Sequence, residues 1–317
     1  MLTFTVCDIE GKRHILPSPL SVTIRMEEDV PADDLYAVFP ETECKELKSI
    51  AVYDGVKTVF VGVIDEEEHL FRPAGAYLRI SARSLAAHLL DNEALPRGYD
   101  HPDARLIYER HVRQYGIEAG DMDDATCFGE LNVTKGMSQW GVISAFCSAC
   151  YSGTPRVSAD GKLYFRGLTS GGRVVFGGNG GICYTELSDL HKRCEEISRV
   201  NVKITPDNGY TYPVENADAL RRGICRERYL NATVSSKSVR SADIMLDNSR
   251  QKAYSVTLKC PGRFTDVLGC DAVLHDSVIG DRDGLYISAV RYHSSADGEY
   301  TVLRLRRRNG SCGYPDM

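Results

Sequence analysis

The stretch that constrains the fold most strongly spans residues 49–96. Apolar side chains stand at every second position of two short runs, which contain Ile50 and Val52, then Val59, Val61 and Val63. Alternation of this kind marks half-buried strands, and the Asp54-Gly55 pair between the runs favours a tight reversal of the chain. The sequence therefore predicts a β-hairpin at the start of this stretch.

The same stretch continues as a strand and then as a helix. We expect the acidic residues 65–68 to form a polar turn and residues 75–81, which alternate again, to form the next strand. Leu85, Leu89 and Leu90 then follow at helical spacing, which puts one apolar stripe on a short helix. The predicted order is hairpin, strand and helix.

The residues before this stretch extend it into a first β domain at residues 1–95. Leu2, Phe4 and Val6 alternate before a turn at Gly11, and alternation returns at residues 20–24, so both runs predict strands. Residues 27–36 are acidic and contain a proline, which indicates an exposed loop.

A small α/β insert is predicted at residues 96–168. Asp100-His-Pro102 is typical of a helix start, and Ser138 is typical of the cap of a second helix. The apolar face of this second helix is formed by Trp140, Ile143, Phe146, Cys147 and Cys150. A hairpin follows, with its turn at Asp160-Gly161.

Residues 169–317 are predicted to form a second β domain with short helices. Residues 171–181 are rich in glycine, which predicts a mobile or tightly turning loop. Three further helical segments are predicted from helical spacing. The first contains Leu187, Leu190, Cys194 and Ile197, and the other two span residues 217–229 and 241–253. Alternation predicts a strand at 200–204 and a meander of hairpins at 254–307, and such a meander suits closure of a barrel.

Composition excludes several classes of protein. A length of 317 residues exceeds one ordinary domain, and a net charge of −6 argues against a general binder of nucleic acid or of anionic membranes. No apolar run reaches the roughly 18 residues that span a bilayer, and the N-terminus lacks the pattern of a signal peptide. We expect a protein made in the cytosol, with its eleven cysteines reduced.

Cys147-Ser-Ala-Cys150 has the spacing of a redox motif or of half a zinc site. A zinc site needs a second pair of ligands, and the sequence contains no other C-x-x-C and no H-x-x-x-H. A redox pair would open a helix, whereas this pair stands near the end of one. The two residues are therefore interpreted as core cysteines.

Four other patterns favour structural roles over chemistry. Residues 177–181 lack the Lys-Ser/Thr of a phosphate loop, and Trp140 stands where a nucleophile elbow requires glycine. His111 falls on an apolar helical face, as a core histidine does. Residues 66–68 indicate a solvated turn. The alternative is a pair of carboxylates that act as acid and base in the hydrolysis of a glycosidic bond. No catalytic, cofactor-binding or metal-ligating residue is predicted.

Three arginines alternate on the last predicted strand. Arg304, Arg306 and Arg308 share one face, and Leu303 and Leu305 share the other. One interpretation is a solvated strand whose charges discourage aggregation through a sheet edge. The other is a subunit interface with an acidic partner, because arginine is enriched at interfaces.

The hairpin, strand and helix also resemble a known family. VFVGVID at 59–65 and GAYLRISARSLAAHLLD at 75–91 resemble a run in the baseplate hub proteins of contractile-tailed bacteriophages and related phage-tail-like particles. In that family a strand, an F-x-G-x-I/V segment, an acidic turn, a second strand, G/A-R-S and a small helix with L-x-D close the first barrel.

The resemblance continues along the chain. WGVI at 140–143 through Phe146, PRV at 155–157 and DGKLYF at 160–165 are similar to the family's insert domain. The segments similar to its last barrel are LKCPG at 258–262, LGCD at 268–271, YISAVRY at 286–292 and TVLRL at 301–305. Leu268 departs from the pattern, which has Gly or Pro before Gly269.

This resemblance implies a fold and a function. The fold would be mainly β with an α+β insert, namely two antiparallel, tail-tube-like β-barrel domains plus a small α/β domain. The protein would be a structural hub, a homotrimeric ring that adapts the six-fold tail tube to the three-fold spike. Its partners would be a separate spike protein, the tail tube or a tube-initiator protein, and other baseplate proteins. It would be made in the cytoplasm of a bacterial host and become part of a virion or tail-like particle.

Two other classes stay open at the level of sequence. One is a hydrolase for cell wall or peptide that acts from the tail tip, which a cleft holding a perturbed acid or thiol would favour. The other is a monomeric carbohydrate-binding β module, which an exposed aromatic groove built from some of the 17 tyrosines would favour.

Overall fold

The computed structural model describes residues 1–73, 75–127, 129–151, 153–167, 172–204, 209–231 and 235–308, with the backbone alone at 235–240. Strands are far more extensive than helices among these residues, so the prediction of a mainly β fold is confirmed.

The strands are numbered in chain order. They are β1 (Leu2–Asp8), β2 (Arg13–Ile15), β3 (Ser21–Glu27), β4 (Asp34–Pro40), β5 (Leu47–Asp54), β6 (Lys57–Arg72), β7 (Gly75–Ser84), β8 (Arg97–Asp100), β9 (Glu118–Ala119), β10 (Glu130–Val133), β11 (Arg156–Val157), β12 (Lys162–Tyr164), β13 (Arg173–Gly177), β14 (Glu186–His191), β15 (Arg199–Lys203), β16 (Tyr212–Glu215), β17 (Glu227–Asn231), β18 (Tyr254–Pro261), β19 (Asp271–His275), β20 (Arg282–Ser295) and β21 (Gly298–Arg307).

The helices are numbered in the same way. They are α1 (Ala86–Asp91), α2 (Ala104–His111), α3 (Gln139–Tyr151), α4 (Ala217–Arg221) and α5 (Ser235–Ala253), and single 3-10 turns occur at Arg113–Tyr115 and Arg193–Glu195.

The chain divides into two compact units. Unit 1 comprises Met1–Gly172, Pro261–Gly269 and Ser288–Val302, and unit 2 comprises Arg173–Cys260, Cys270–Ile287 and Leu303–Met317. The predicted division at residues 1–95, 96–168 and 169–317 stays a prediction.

Unit 1 contains an antiparallel sheet with the order β20-β3-β4-β7-β6-β5-β1-β2. Alternation produces it, because every second side chain points to the same face. Leu2, Phe4 and Val6 are buried as predicted, and the ring of Phe4 meets that of Phe39 edge-on at 5.3 Å. The described pairings follow an open path from β20 to β2, so closure into a barrel stays a prediction.

In the stretch 49–96, Gly62 is required because the backbones of two neighbouring strands lie close together there. Gly62 of β6 lies opposite Ser84 of β7. A Cβ at this position would overlap the carbonyl oxygen of the neighbouring Arg83 and the ring of Phe60. The glycine in the F-x-G segment therefore lets β6 and β7 pair closely.

Two predicted loops of unit 1 are wrong. Residues 65–68 are not a turn, because β6 continues to Arg72 and pairs with β7 along this length. The predicted loop at 27–36 ends early, since β4 begins at Asp34 and pairs with β3 and β7. In both cases pairing with a neighbouring strand keeps the acidic residues in the sheet. The neighbouring strand supplies hydrogen-bond partners for the backbone or cations for the carboxylates.

The first insert, residues 86–165, carries its own core. Helices α1, α2 and α3 and strands β8 to β12 enclose a cluster in which Ile107, Ile143, Phe146 and Leu163 have no exposed surface. The Ser138 Oγ accepts from the Gly141 amide at 3.1 Å, so the predicted cap is confirmed. The predicted start at Asp100 is wrong, because Asp103 caps α2 through the Leu106 amide.

Unit 2 combines antiparallel and parallel pairing. Strand β14 pairs with β18, β13 pairs in parallel with β19, and β19 pairs with β20. The predicted strands at 200–204 and 254–260 and the helix at 241–253 are confirmed as β15, β18 and α5.

Three predictions in unit 2 are wrong or too long. Arg173–Gly177 is strand β13 within the predicted loop 171–181, whose residue 171 lies outside the described residues. Leu187 and Leu190 belong to strand β14, because pairing with β18 overrides their helical spacing. The predicted helix at 217–229 stops at Arg221, and Glu227–Asn231 forms β17.

The second insert, residues 192–253, is a small α/β layer. Its sheet has the order β16-β15-β17, and α5 covers one face. Val200 and Val202 of β15 pack against Ala242 and Leu246 of α5. This insert and the first one thus each add a layer of helix and strand to a unit.

Candidate functional site

The distal half of β6 is a candidate assembly surface. Strand β5 pairs with β6 only as far as Val63, whereas β7 pairs with it from Gly62 to Arg72. In the pairings that the structure describes, residues 64–72 therefore have a strand on one side only. Such an edge presents backbone groups that a strand of another chain can pair with.

The carboxylates along this edge are held by cations of the same unit. The Arg83 guanidinium donates to Asp65 at 2.7 and 2.9 Å and to Asp91 at 2.7 and 3.1 Å. Hydrogen bonding to Arg83 lowers the pKa of Asp91. Arg79 donates to Glu68 at 2.5 Å. The acidic run is thus a fixed feature of the sheet.

His69 lies between Glu67 of this run and Glu41, which follows β4. The His69 ring nitrogens lie 3.0 Å from Glu67 Oε1 and 2.8 Å from Glu41 Oε1. Hydrogen bonds to Glu67 and then to Glu41 raise the pKa of His69. Glu67 lies opposite Ile80 in the ladder, whereas Glu68 lies opposite Arg79, so neighbouring carboxylates point to different faces of the sheet.

Arg304 and Arg306 lie on the interior strand β21, and Arg308 directly follows its last residue. Strand β21 stands between β18 and β20, so the interpretation that Arg304, Arg306 and Arg308 protect a sheet edge is wrong. Arg308 pairs with Asp271 at 2.8 Å. Arg304 and Arg306 are half-buried, and each has an interaction within the chain. The alternative of a subunit interface with an acidic partner stays a prediction.

The C-x-x-C pair lies on one face of α3. Cys147 is fully buried, Cys150 is half-buried, and both pack in the core of the first insert. Burial raises the pKa of both thiols, that of Cys150 to about 12. Among the described residues, no group of three or more His, Cys, Asp or Glu side chains is placed to hold a metal ion. The pair therefore has the environment of core cysteines.

His111 is a satisfied core histidine. Its ring nitrogens lie 2.9 Å from the Tyr99 hydroxyl and 2.6 Å from Gln139 Oε1. Burial lowers the pKa of the imidazole, and the hydrogen bond to Gln139 partly offsets this effect. The geometry links α2, β8 and α3.

The glycine-rich residues 177–181 close a turn beside β13. The Gly177 amide donates to the Ile182 carbonyl at 2.9 Å, and the Ile182 amide donates to Val175 at 2.8 Å. These amides satisfy neighbouring carbonyls of the same turn, as expected of a structural loop.

Sequence reasoning missed a charged cleft in unit 2. It has a volume of about 910 Å³ and lies beside α4, α5 and the start of β18. Arg222 pairs with the buried Glu196, and Arg250 donates to Asp247 at 2.8 Å. Acids of the same wall therefore neutralise these two arginines.

The exposed tyrosines of the second insert form an angled pair. The rings of Tyr210 and Tyr229 lie 5.1 Å apart at 73°, and the Tyr210 hydroxyl donates to Asn231 Oδ1 at 2.6 Å. This T-shaped arrangement differs from a flat platform on which a sugar ring could stack.

The fold is similar to that of tail proteins of known structure. The chain is similar to a tail protein from Neisseria meningitidis MC58, with 16% identity, a TM-score of 0.76 and 96% of each chain covered. It is also similar to the 43 kDa tail protein of prophage MuSo2 from Shewanella oneidensis, with 14% identity, a TM-score of 0.80, and 97% of this chain and 98% of that chain covered. The resemblance predicted from the sequence is confirmed at the level of fold.

The chain is also similar in structure, at a lower TM-score, to a component of a type VI secretion system. This component from Escherichia coli, described as structurally similar to the T4 tail proteins gp27 and gp5, matches 100% of this chain and 79% of its own, with 11% identity and a TM-score of 0.58. No model of a protein family and no curated protein sequence matches the chain. Within the described ranges, no helix has the length and apolar character needed to cross a membrane.

Proposed function

We propose that this protein is the structural hub of a phage or phage-like contractile-tail baseplate. In this role it forms a trimeric ring that adapts the six-fold tail tube to the three-fold spike. The observation that carries the proposal is the match to a tail protein and to a prophage tail protein, at TM-scores of 0.76 and 0.80, over nearly the whole chain.

The two compact units would explain how a three-fold ring can match a six-fold tube. Each chain contributes two units that are rich in strands, so three chains contribute six. A ring of six similar units faces a six-fold tube, while the true symmetry of the ring stays three-fold and faces the spike. The two units need to resemble each other only on the surface that meets the tube.

Open strand edges are the surfaces on which such a ring would close. The distal half of β6 in unit 1 is the candidate, because the described pairings place a strand on only one side of it. Pairing of edges between chains supplies backbone hydrogen bonds and removes the hazard of unpaired strands. Partners beyond the ring are a separate spike protein, the tail tube or a tube initiator, and other baseplate proteins.

The charge of the chain suits a ring through which DNA passes. A net charge of −6 disfavours tight contact with phosphates, whereas a cationic lumen would bind them. We therefore propose a structural role without enzymatic activity or specific binding of nucleic acid. The protein would be made in the host cytoplasm and incorporated into the particle.

Light scattering over a concentration series tests the trimer. The purified chain is measured alone and mixed with the neighbouring spike protein. We expect a mass of three chains, or a monomer that becomes three-fold when the spike is present. A strict monomer that ignores the spike at high concentration would contradict the proposal.

A matched pair of variants tests the edge assignment separately. Phe71, 74% exposed, lies on the distal half of β6, whereas Val56, fully exposed, lies at the turn before the half that β5 covers. We expect Phe71→Asp to weaken the trimer and Val56→Asp to leave it unchanged. Equal masses for the two variants would show that this edge is not the interface. That result would not contradict the proposal of a trimer.

A further inference from the structure

His69 of β6 lies at the border of the apolar core of unit 1. In the ladder of β6 and β7, His69 stands opposite Leu78, and Glu67 stands opposite Ile80. Opposite residues of an antiparallel pair point to the same face, and neither Leu78 nor Ile80 has exposed surface. The side chains of His69 and Glu67 therefore project from the face of the sheet that packs in the core.

The two acids that His69 contacts hold the two ends of one segment. Glu41 begins the β4–β5 connection, which we define as residues 41–46. Leu47, directly after the connection, donates its amide to Glu67 Oε2 at 2.6 Å. His69 is thus bonded to the start of the connection at Glu41, and to the residue that follows its end through Glu67.

Both contacts of His69 require its charged form. The Nδ1 atom lies 2.8 Å from Glu41 Oε1, and the Nε2 atom lies 3.0 Å from Glu67 Oε1. An ionised carboxylate only accepts hydrogen bonds, so both ring nitrogens must donate, and only the imidazolium carries a proton on each of them. The hydrogen bonds to Glu67 and to Glu41 raise the pKa of His69, which favours this form.

Loss of one proton from His69 would leave one of the two acids without its donor. The second oxygen of Glu41, Oε2, is buried and has no hydrogen-bond partner among the described residues. The second oxygen of Glu67 already holds the Leu47 amide. A buried carboxylate that loses a donor is costly, so the neutral form of His69 would drive one end of the connection away from β6.

The backbone at the end of the connection is strained. Glu46, its last residue, has a φ of +53°. Residues other than glycine adopt this left-handed conformation at a cost in free energy that the surrounding contacts must offset. The hydrogen bond from the Leu47 amide to Glu67 is one of these contacts. Its weakening would let the backbone at Glu46 relax.

The charge at His69 is balanced by Glu67 on its own strand and by Glu41 on the connection. The strands beside β6 present apolar side chains on this face, because Leu78 of β7 lies opposite Phe39 of β4 and both are buried. The other charged residues of the connection are exposed to solvent, namely Glu43, Lys45 and Glu46.

We propose that His69 is a pH-sensitive latch for the β4–β5 connection. As an imidazolium it fastens both ends of the connection to the distal half of β6, and loss of one proton releases the connection. The latch is a property of the single chain and does not depend on the proposed trimer. It would make the mobility of a segment beside the candidate assembly surface depend on pH.

The latch should hold at low pH and open as the pH rises. Histidine titrates at about pH 6.5 in an unfolded chain, and the pKa of His69 is higher in the folded chain. Its contribution to the closed form is therefore fully present below about pH 6.5 and is lost as the pH rises through the raised pKa. Each unit by which the pKa is raised corresponds to a loss of about tenfold in the closed form relative to the open one.

Hydrogen exchange of the full-length chain, measured by mass spectrometry between pH 6 and pH 9, tests the latch. The observed rates are divided by the intrinsic exchange rates at each pH. We expect the protection of the peptide that covers the connection and Leu47 to fall by about tenfold or more across this range, and the protection of β3 to stay constant. Constant protection of the connection in the wild-type chain would overturn the proposal.

Two variants separate His69 from other titrating groups. Glutamine in His69→Gln offers one donor and one acceptor, like neutral imidazole, so the connection should exchange at pH 6 as it does in the wild type at pH 9. Cys44→Ser removes a half-buried thiol of the same connection and should keep the wild-type dependence on pH. A dependence on pH that persists in His69→Gln, or that disappears in Cys44→Ser, would assign the change to another group and overturn the latch.

Discussion

The two inserts of this chain are built on different principles. The first insert encloses a continuous apolar core to which three helices and several strands contribute. The second insert packs α5 on a three-stranded sheet, and its described core residues are Val200, Val202, Ala242 and Leu246. Burial of apolar surface is the main source of stability, so the first insert should be the more stable of the two.

Charged contacts show the same contrast. Arg156 of the first insert is buried and donates to Asp33 and to the carbonyls of Glu27 and Val30 at 2.6 and 2.7 Å. Arg199 of the second insert pairs with Glu215 and Glu227 on an exposed surface, where ion pairs contribute at most about 1 kcal/mol. The second insert is thus suited to local opening, and the first to holding a fixed shape.

The largest effect should come from the core of the first insert. Phe146 is fully buried and contacts the rings of Phe165 and Tyr151 edge-on, each at 6.0 Å. We expect Phe146→Ala to lower the free energy of unfolding by about 3–5 kcal/mol, because it removes an aromatic side chain and leaves a cavity. Urea unfolding followed by circular dichroism measures this change.

The exposed Leu95→Ala is the control for that variant. The Leu95 side chain is 73% exposed, so its truncation should change the stability by less than about 0.5 kcal/mol. Similar losses for Leu95→Ala and Phe146→Ala would mean that the insert's core does not dominate the stability of unit 1.

The buried ion pair should make stability depend on pH. Burial raises the pKa of Asp33 to about 6, and the charge of Arg156 offsets part of this rise. The same carboxyl titrates near pH 3.9 in an unfolded chain. Between these values the folded state holds a proton that the unfolded state has lost, so its contribution, on the order of 3 kcal/mol, is present below pH 4 and is lost as pH rises through 6.

Asp33→Asn isolates this contribution. We expect the stability of the wild type relative to the variant to fall as the pH of urea unfolding is raised from 4 to 7, because asparagine does not titrate. A difference between the two proteins that stays constant across this range would contradict the raised pKa.

A smaller and local effect is expected in the second insert. Leu246 is 2% exposed and packs on Val200 and Val202, so Leu246→Ala should cost about 2 kcal/mol. Amide hydrogen exchange should accelerate in β15 and α5 and stay unchanged in α3. Equal acceleration in the two inserts would mean that they open as one unit, against the contrast drawn between them.

Strong local patterns allowed much of the fold to be predicted. The hairpin of β5 and β6, strand β7, helix α1, the Ser138 cap and the hairpin at Gly161 each depend on residues that are near one another in sequence. The resemblance to tail proteins also depended on this region, where a strict alternation changes to a helical period within a few residues.

The failures fall where distant pairing decides the structure. Leu187 and Leu190 have helical spacing, yet pairing with β18 draws them into β14. The acidic residues of β6 look like a solvated turn until Arg79 and Arg83 of β7 are placed opposite them. The charged cleft of unit 2 has no sequence signal, because its walls come from segments that no spacing rule connects.

The central claim is that three copies of this chain form a ring with six similar units. Cryo-electron microscopy of the chain in complex with its spike protein tests it most directly. We expect class averages along the axis with six similar lobes and a true three-fold symmetry. Averages without a three-fold axis, or with one lobe per chain, would contradict the account.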